Sequence, residues 1–288
     1  MGELIKLMRP RQWIKNVFVF LPAFFGGAIN TLNLFDLAIG FVAFSLAASS
    51  IYIFNDWRDL QFDKLHPIKK QRPLASGKVS IPLALAAGFS MLVAAIVGIV
   101  VYLNSQFVWI LAIYVVLNVL YSLGLKKVSI LDLLIVSSGF VLRVAAGAEL
   151  VQVELSFWLL LMTFLFSMFI VVGKRRDDFR DGVENARSLR PVNEHYNQFY
   201  LDSSIVLLSA LMIVCYIMYT YFSPYFQGKI YLALLSSALV MIGLLRYLQA
   251  LFVENRGGAP TDLAFRDRFI QIVVLLWLSV FAFIIYFK

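Results

Sequence analysis

The chain has 288 residues, 61% hydrophobic and 15% charged, with a formal net charge of +8 and a mean hydropathy of +0.83. That balance excludes an ordinary soluble domain and predicts an all-α polytopic membrane protein. One cysteine excludes an internal disulfide or thiolate cluster, and two histidines are too few for a haem array or a histidine-built zinc site.

Taken in order, the apolar runs predict nine transmembrane helices over about 17–35, 37–55, 82–103, 107–123, 130–148, 155–173, 203–223, 229–253 and 268–287. Each is near the ~20 residues needed to cross the hydrocarbon core. The first follows Arg9, Arg11 and Lys15 and continues into a span, so no cleavable leader is expected. The length suits one transmembrane domain over 1–288, with no second domain. Connections on one side hold 21 of the 25 basic residues. By the positive-inside rule that side is cytoplasmic, the N-terminus lies there and the C-terminus is external, which requires an odd number of spans. The positive charge is thus topogenic, and no nucleic-acid partner is expected. The prediction is a multi-pass protein of the cell membrane with its chemistry on the cytoplasmic face.

The external connections are minimal, whereas two cytoplasmic ones, 56–81 and 174–202, are long and charged. Loops of that length in a compact protein usually carry function or disorder. The first opens with Asn55, Asp56, Asp59 and Asp63 directly after an apolar run. The three acids are spaced i, i+3, i+7, so a continuing helix sets them on one face, where they repel one another unless a cation intervenes. Mg²⁺, commonly held by one or two carboxylates plus substrate phosphates, is the predicted cation. Lys69, Lys70 and Arg72 follow within ten residues. Acid followed by base suits a substrate whose phosphates both chelate metal and need direct neutralisation. The same bases could instead be topogenic charges touching anionic lipid.

The second loop opens with Lys174, Arg175, Arg176, Asp177, Asp178, Arg180 and Asp181, in which acid pairs again fall at helical spacing. A stop-transfer block has the same composition. Two such clusters on one membrane side favour a shared site for one diphosphate. Polar residues at helix ends or inside spans add candidates, because burying them in lipid is costly. Gln12, Lys15 and Asn16 stand at the first helix entry, Tyr121 and Lys126 near the end of the fourth span, and Arg143 within the fifth. Arg143 should meet a substrate phosphate or an acidic partner. In the last loop, Thr261 or Asp262 is a candidate cap for the final helix.

Nine helices with Asn55-Asp56-x-x-Asp59-x-x-x-Asp63 after the second and an acidic motif after the sixth resemble the UbiA superfamily of membrane prenyltransferases. Smaller motifs, in order along the chain, resemble its decaprenyl-phosphate phosphoribosyltransferase branch. They are Arg9-Pro-Arg-Gln-Trp-Ile-Lys-Asn16, His66-Pro-Ile-Lys69, Arg72-Pro-Leu-Ala-Ser-Gly77, Lys174-Arg-Arg176, and Gly258-Ala-Pro-Thr-Asp262 before Arg266-Asp-Arg268. The second cluster departs from the pattern: three acids stand where a basic pair and a single acid are expected. Asp177, Asp178 and Asp181 therefore all stay candidates.

The resemblance implies transfer of 5-phosphoribose from phosphoribosyl pyrophosphate to a polyprenyl phosphate. It implies that Asn55, Asp56, Asp59 and Asp63 hold Mg²⁺ on the pyrophosphate, with Lys174, Arg175 and one of the second-cluster acids at its other end. Lys15, Lys69, Arg72 and Arg143 would bind the 5-phosphate or the lipid phosphate. Two other readings stay open: a quinone-type prenyltransferase using an isoprenyl diphosphate, and a lipid-phosphate transporter. A homo-oligomer is compatible with all of them.

Overall fold

The computed structural model describes residues 2–65, 69–103, 105–179, 189–254, 263 and 266–286. Every regular element among them is helical, and the chain divides into two compact units, Met1–Leu155 and Ser156–Lys288. Eight helices among the described residues are long and apolar enough to cross a membrane.

In the first unit, α1 (Gly2–Met8) leads into a 3₁₀-helix over Pro10–Phe20, then α2 (Leu21–Phe25), α3 (Thr31–Arg58) and α4 (Leu60–Leu65). After a short 3₁₀ turn at Lys69–Gln71 come α5 (Ile81–Tyr102), α6 (Ser105–Leu123), a second turn at Leu125–Lys127, and α7 (Leu131–Leu150). The expected span over 17–35 is not one helix. Pro22 sits at the start of α2, Gly27 takes a left-handed φ of 64°, and Asn30 caps α3 by accepting from the Asn33 amide at 2.9 Å. These three signals divide the apolar run. At about 2.0 Å per residue in 3₁₀ form and 1.5 Å in α form, Pro10–Phe25 still rises about 30 Å, the reach of a crossing.

The core of this unit gathers on α3, which packs against α5, α6, α7 and the 3₁₀-helix. Phe44 is its centre, edge-to-face with Phe107 at 5.6 Å and Tyr114 at 5.3 Å between centroids. Gly147 of α7 lets the 3₁₀-helix approach closely, since a Cβ there would lie 1.9 Å from the Val19 carbonyl oxygen. The loop after α4 is anchored by Leu74 and Val79, buried with Leu7, Ile53 and Ala84.

The second unit comprises α8 (Phe157–Asp178), α9 (Gln198–Phe222), α10 (Ile230–Phe252) and α11 (Arg268–Tyr286). Asn197 caps α9 by accepting from the Tyr200 amide at 2.7 Å. Inside the unit, Trp277 Nε1 donates to the Tyr216 hydroxyl at 2.7 Å, and that hydroxyl also bonds Ser236, linking three helices. The cap of α11 is Asp267, whose carboxylate accepts from the Ile270 amide at 3.0 Å. Thr261 and Asp262, expected in that role, lie outside the described residues.

Candidate active site in the first unit

The acidic motif straddles a helix break. α3 ends at Arg58 and Asp59 is its C-cap, although the Asp59 amide still bonds the Asn55 carbonyl and the Asp63 amide the Asp59 carbonyl. The break sorts the acids into two groups. Asp56 and Asp63, 2% and 3% exposed, share one cation: Arg72 Nη1 lies 2.9 Å from Asp56 Oδ1 and 2.7 Å from Asp63 Oδ2. Arg9 Nη2 meets the same Asp56 oxygen at 2.5 Å, while its guanidinium lies 5.1 Å from the Tyr52 ring centroid. Asp59 takes the other direction. Lys126 Nζ reaches its two oxygens at 2.5 and 2.6 Å and the Asn55 Oδ1 at 3.2 Å, and Asn55 Nδ2 donates back to Asp59 at 3.1 Å.

Three carboxylates thus meet three cations drawn from separate elements. Arg9 precedes the 3₁₀-helix, Arg72 follows the first loop's turn, and Lys126 stands in the turn after α6. Arg72 Nη1 and Lys126 Nζ each occupy a point ringed by hard oxygen donors, the chemistry that suits Mg²⁺. No three His, Cys, Asp or Glu among the described residues converge as a self-sufficient metal cage. Such a site fits a cation held by one or two carboxylates and completed by phosphate oxygens.

Arg143 meets no acidic partner among the described residues. Its Nε donates to Asn16 Oδ1 at 2.6 Å, Nη1 to the Gly139 carbonyl at 2.6 Å and Nη2 to the Tyr114 hydroxyl at 3.0 Å. The rings of Phe44, Tyr114 and Phe140 surround it at 4.7–5.7 Å from their centroids. Neutral acceptors and ring faces, rather than an acid, satisfy this buried cation. Asn16 in turn donates to Ser45 Oγ at 2.9 Å. Gln12, Lys15 and Tyr121 are half-buried, Tyr121 in the last turn of α6; Lys69 opens the turn before Arg72.

The second cluster is described within its own unit. Asp178 pairs with Arg190 at 3.0 Å and accepts from Asn193 Nδ2 at 3.1 Å, partners 12 and 15 residues on. Arg176 donates to Asp202 at 2.7 Å and lies over Phe252. Arg175 is buried, and Lys174 and Asp177 stand in the last turns of α8. Asp181 lies outside the described residues.

Arg9 was the residue that sequence reasoning missed as part of the site. Its signal was its place three residues before Gln12 and six before Lys15, which matters only once the segment is 3₁₀. Tyr114 carries no signal in the sequence, because an aromatic in an apolar span reads as core.

The chain belongs to the UbiA prenyltransferase family, whose pattern matches residues 16–270, across both units. It is 33% identical to the decaprenyl-phosphate phosphoribosyltransferase of Mycolicibacterium smegmatis, over 99% of this chain and 93% of that one. The enzyme of the same name from Mycobacterium tuberculosis is 32% identical, over 96% and 92%. In fold, the chain matches a UbiA homolog from Archaeoglobus fulgidus bound to DMAPP and Mg²⁺ with a TM-score of 0.74, at 17% identity, covering 99% of this chain and 100% of that one.

Proposed function

We propose that this protein transfers 5-phosphoribose from phosphoribosyl pyrophosphate to a decaprenyl-type polyprenyl phosphate and releases pyrophosphate, with Mg²⁺ as cofactor. The observation that carries the reading is the set of exchangeable acid–base pairs around Asp56, Asp59 and Asp63, taken with the names of the full-length relatives. The donor is a polyanion that brings its own cation. When it arrives, Arg72 and Lys126 can pass from carboxylates to phosphate oxygens, leaving the acids to the metal.

Mg²⁺ at the acids would offset charge on the departing pyrophosphate. Asn55, Asp56, Asp59 and Asp63 hold that end of the donor; Arg72 and Lys126 bind its phosphates, with Lys69 close by. As the ribose C1–O bond to pyrophosphate breaks, a new C1–O bond forms to the lipid phosphate. That acceptor is already ionised near neutral pH, so no general base is required. Lys174, Arg175 and one of Asp177, Asp178 and Asp181 are proposed as a phosphate-binding group of the second unit. The basic loops argue for nine crossings of the cell membrane in one transferase domain, the 3₁₀ segment and α2 completing the ninth, with the site facing the cytoplasm. A homo-oligomer remains part of the proposal only as a state to be measured.

The test is a transfer assay with purified protein, Mg²⁺, radiolabelled phosphoribosyl pyrophosphate and a polyprenyl phosphate. Labelled lipid supports the reading. No labelled lipid, with prenylation of an aromatic acceptor from an isoprenyl diphosphate, replaces it by the quinone-type reaction.

A further inference from the structure

From Trp57 to Leu65 the chain runs through the end of α3, the break at Asp59 and the short helix α4. The Asp59 and Asp63 amides still bond the carbonyls four residues back, so the helical phase carries through the break. At about 100° per residue, Trp57, Arg58, Gln61, Phe62, Lys64 and Leu65 fall on one arc of roughly 160°. Asp56, Asp59, Leu60 and Asp63 fall on the opposite arc. Burial follows the same division. All six residues of the first arc are exposed, Phe62 at 70% and Leu65 at 86%. The three acids of the second are buried or half-buried and turned onto Arg9, Arg72 and Lys126. The outer arc thus holds three large apolar side chains, two bases and no acid.

Packing fixes the level of this face in the membrane. Ile53 of α3 lies against Gly88 of α5, 3.5 Å from where a Cβ on that glycine would stand. The two helices are consecutive spans, so α5 runs back along α3. At about 1.5 Å per residue, Leu60 lies about 10 Å beyond Ile53, and Ile81 about 10 Å before Gly88. Leu60 accordingly packs on the cluster that includes Ala84 of α5. α4 therefore starts level with the entry of α5 into the hydrocarbon, where Ile81 and Leu83 are exposed. Phe62 and Leu65 follow within about 7.5 Å, roughly the thickness that headgroups add to each side of the core. Apolar and basic residues on one face at that level have the composition of an interfacial helix. Such a helix sets its apolar edge at the acyl boundary and its bases on anionic headgroups.

We propose that this outer arc is a docking face for anionic phospholipid. Phe62 and Leu65 enter the headgroup–acyl boundary beside Trp57, and Arg58 and Lys64 meet the surplus negative charge of the headgroups. The inference goes beyond the transferase reading and stands whichever reaction the protein catalyses. It gives the acid cluster an outer support, because Asp63 stands on the opposite arc of the helix that the lipid holds.

Spin-label accessibility in bilayers tests the face directly. The protein carrying Cys215→Ala, which removes its one native thiol, receives Phe62→Cys, Leu65→Cys or, as a mid-span lipid reference, Val97→Cys on the exposed side of α5. Each labelled variant is placed in phosphatidylcholine vesicles with and without phosphatidylglycerol. Collision rates are read with oxygen, which partitions into the bilayer, and with a water-soluble nickel chelate. Phosphatidylglycerol is expected to raise the oxygen-to-nickel ratio at Phe62→Cys and Leu65→Cys about twofold or more, and to leave Val97→Cys unchanged. Arg58→Gln combined with Lys64→Gln should abolish that rise. If one of the two cysteine variants fails to fold, the other decides. Nickel access that exceeds oxygen access at both positions puts the face in water and overturns the proposal. A ratio indifferent to phosphatidylglycerol overturns it too, since selectivity for anionic lipid is the claim. Dipolar broadening that disappears on dilution with unlabelled protein would assign the face to a second copy of the chain instead.

Discussion

The two charged clusters look alike as strings of letters and differ in how their charges are engaged. In the first unit, Asp56, Asp59 and Asp63 meet bases that lie 47, 67 and 9 residues away in the chain, on three separate elements. The side chains of Arg9, Arg72 and Lys126 keep 27, 28 and 21% of their surface exposed, so water and ligand can reach them. In the second unit, Asp178 is held by Arg190 and Asn193 of its own loop, 12 and 15 residues on. The bases do not differ in access, since Arg190 keeps 42% of its surface exposed. What differs is that three acids of the first cluster are gathered around shared cations, which a metal or a phosphate can replace. Asp178 is shared by Arg190 and Asn193 alone, which gives it a structural task to lose.

The largest expected effect separates these roles. Asp59→Asn preserves shape and leaves the buried Asp56 pair intact, so the protein folds while transfer falls about a hundredfold or more, as loss of charge stabilisation in a reacting centre does. Asp178→Asn is expected to cost under about tenfold in rate and to act through stability, visible as a lower thermal midpoint. Equal losses in the two variants would erase the distinction. Asp56→Asn is the poorer probe, because breaking a buried pair costs about 3–5 kcal/mol of stability and confounds the rate.

Lys126→Ala sharpens the exchange itself. Removing the ammonium frees Asp59 and Asn55, so Mg²⁺ alone should bind more tightly, while pyrophosphate, deprived of a charge-assisted contact, binds about tenfold more weakly. Calorimetry of the two ligands reads both shifts. The same change in both affinities would mean that Lys126 does not pass between acid and phosphate.

Packing supplies the next contrast. Gly147→Ala places a Cβ against the Val19 backbone and is expected to lower stability by about 1–3 kcal/mol, as overpacking does. Gly98→Ala in α5 meets nothing within 4 Å, and should stabilise by about 0.5–1 kcal/mol through helix propensity. Thermal unfolding in detergent compares them.

The smallest effect concerns pH. Hydrogen bonding from Arg246 holds the Asp267 carboxyl below its ordinary value. A carboxyl depressed in the folded state contributes stability above its unfolded pKa of about 3.9, and that contribution is lost as pH falls further. Asp267→Asn should flatten the thermal midpoint between about pH 5 and pH 3. An unchanged slope would remove this contribution.

The eight long helices were legible as apolar runs of spanning length, and their ends fall within about six residues of the expected ones. The segment over 17–35 was not, because an apolar run has the same composition in α and 3₁₀ form. Its shape depends on Gly147 and Arg143, more than 120 residues away. The acidic motif was legible as carboxylates that need positive charge beside them, and Arg9, Arg72 and Lys126 stand there. The break at Asp59, and the assignment of each acid to its base, were not, since those partners come from tertiary folding. Arg143 was recognised as costly at its depth, but the neutral acceptors that satisfy it are ordinary core residues in the sequence.

Magnesium dependence of pyrophosphate binding tests the central claim most directly. Titration of the intact protein with inorganic pyrophosphate, with and without Mg²⁺, should show binding that requires the metal in the wild type and is lost in Asp59→Asn. Binding of equal strength without Mg²⁺, or undiminished in Asp59→Asn, would contradict the exchange of Arg72 and Lys126 for a metal-borne phosphate.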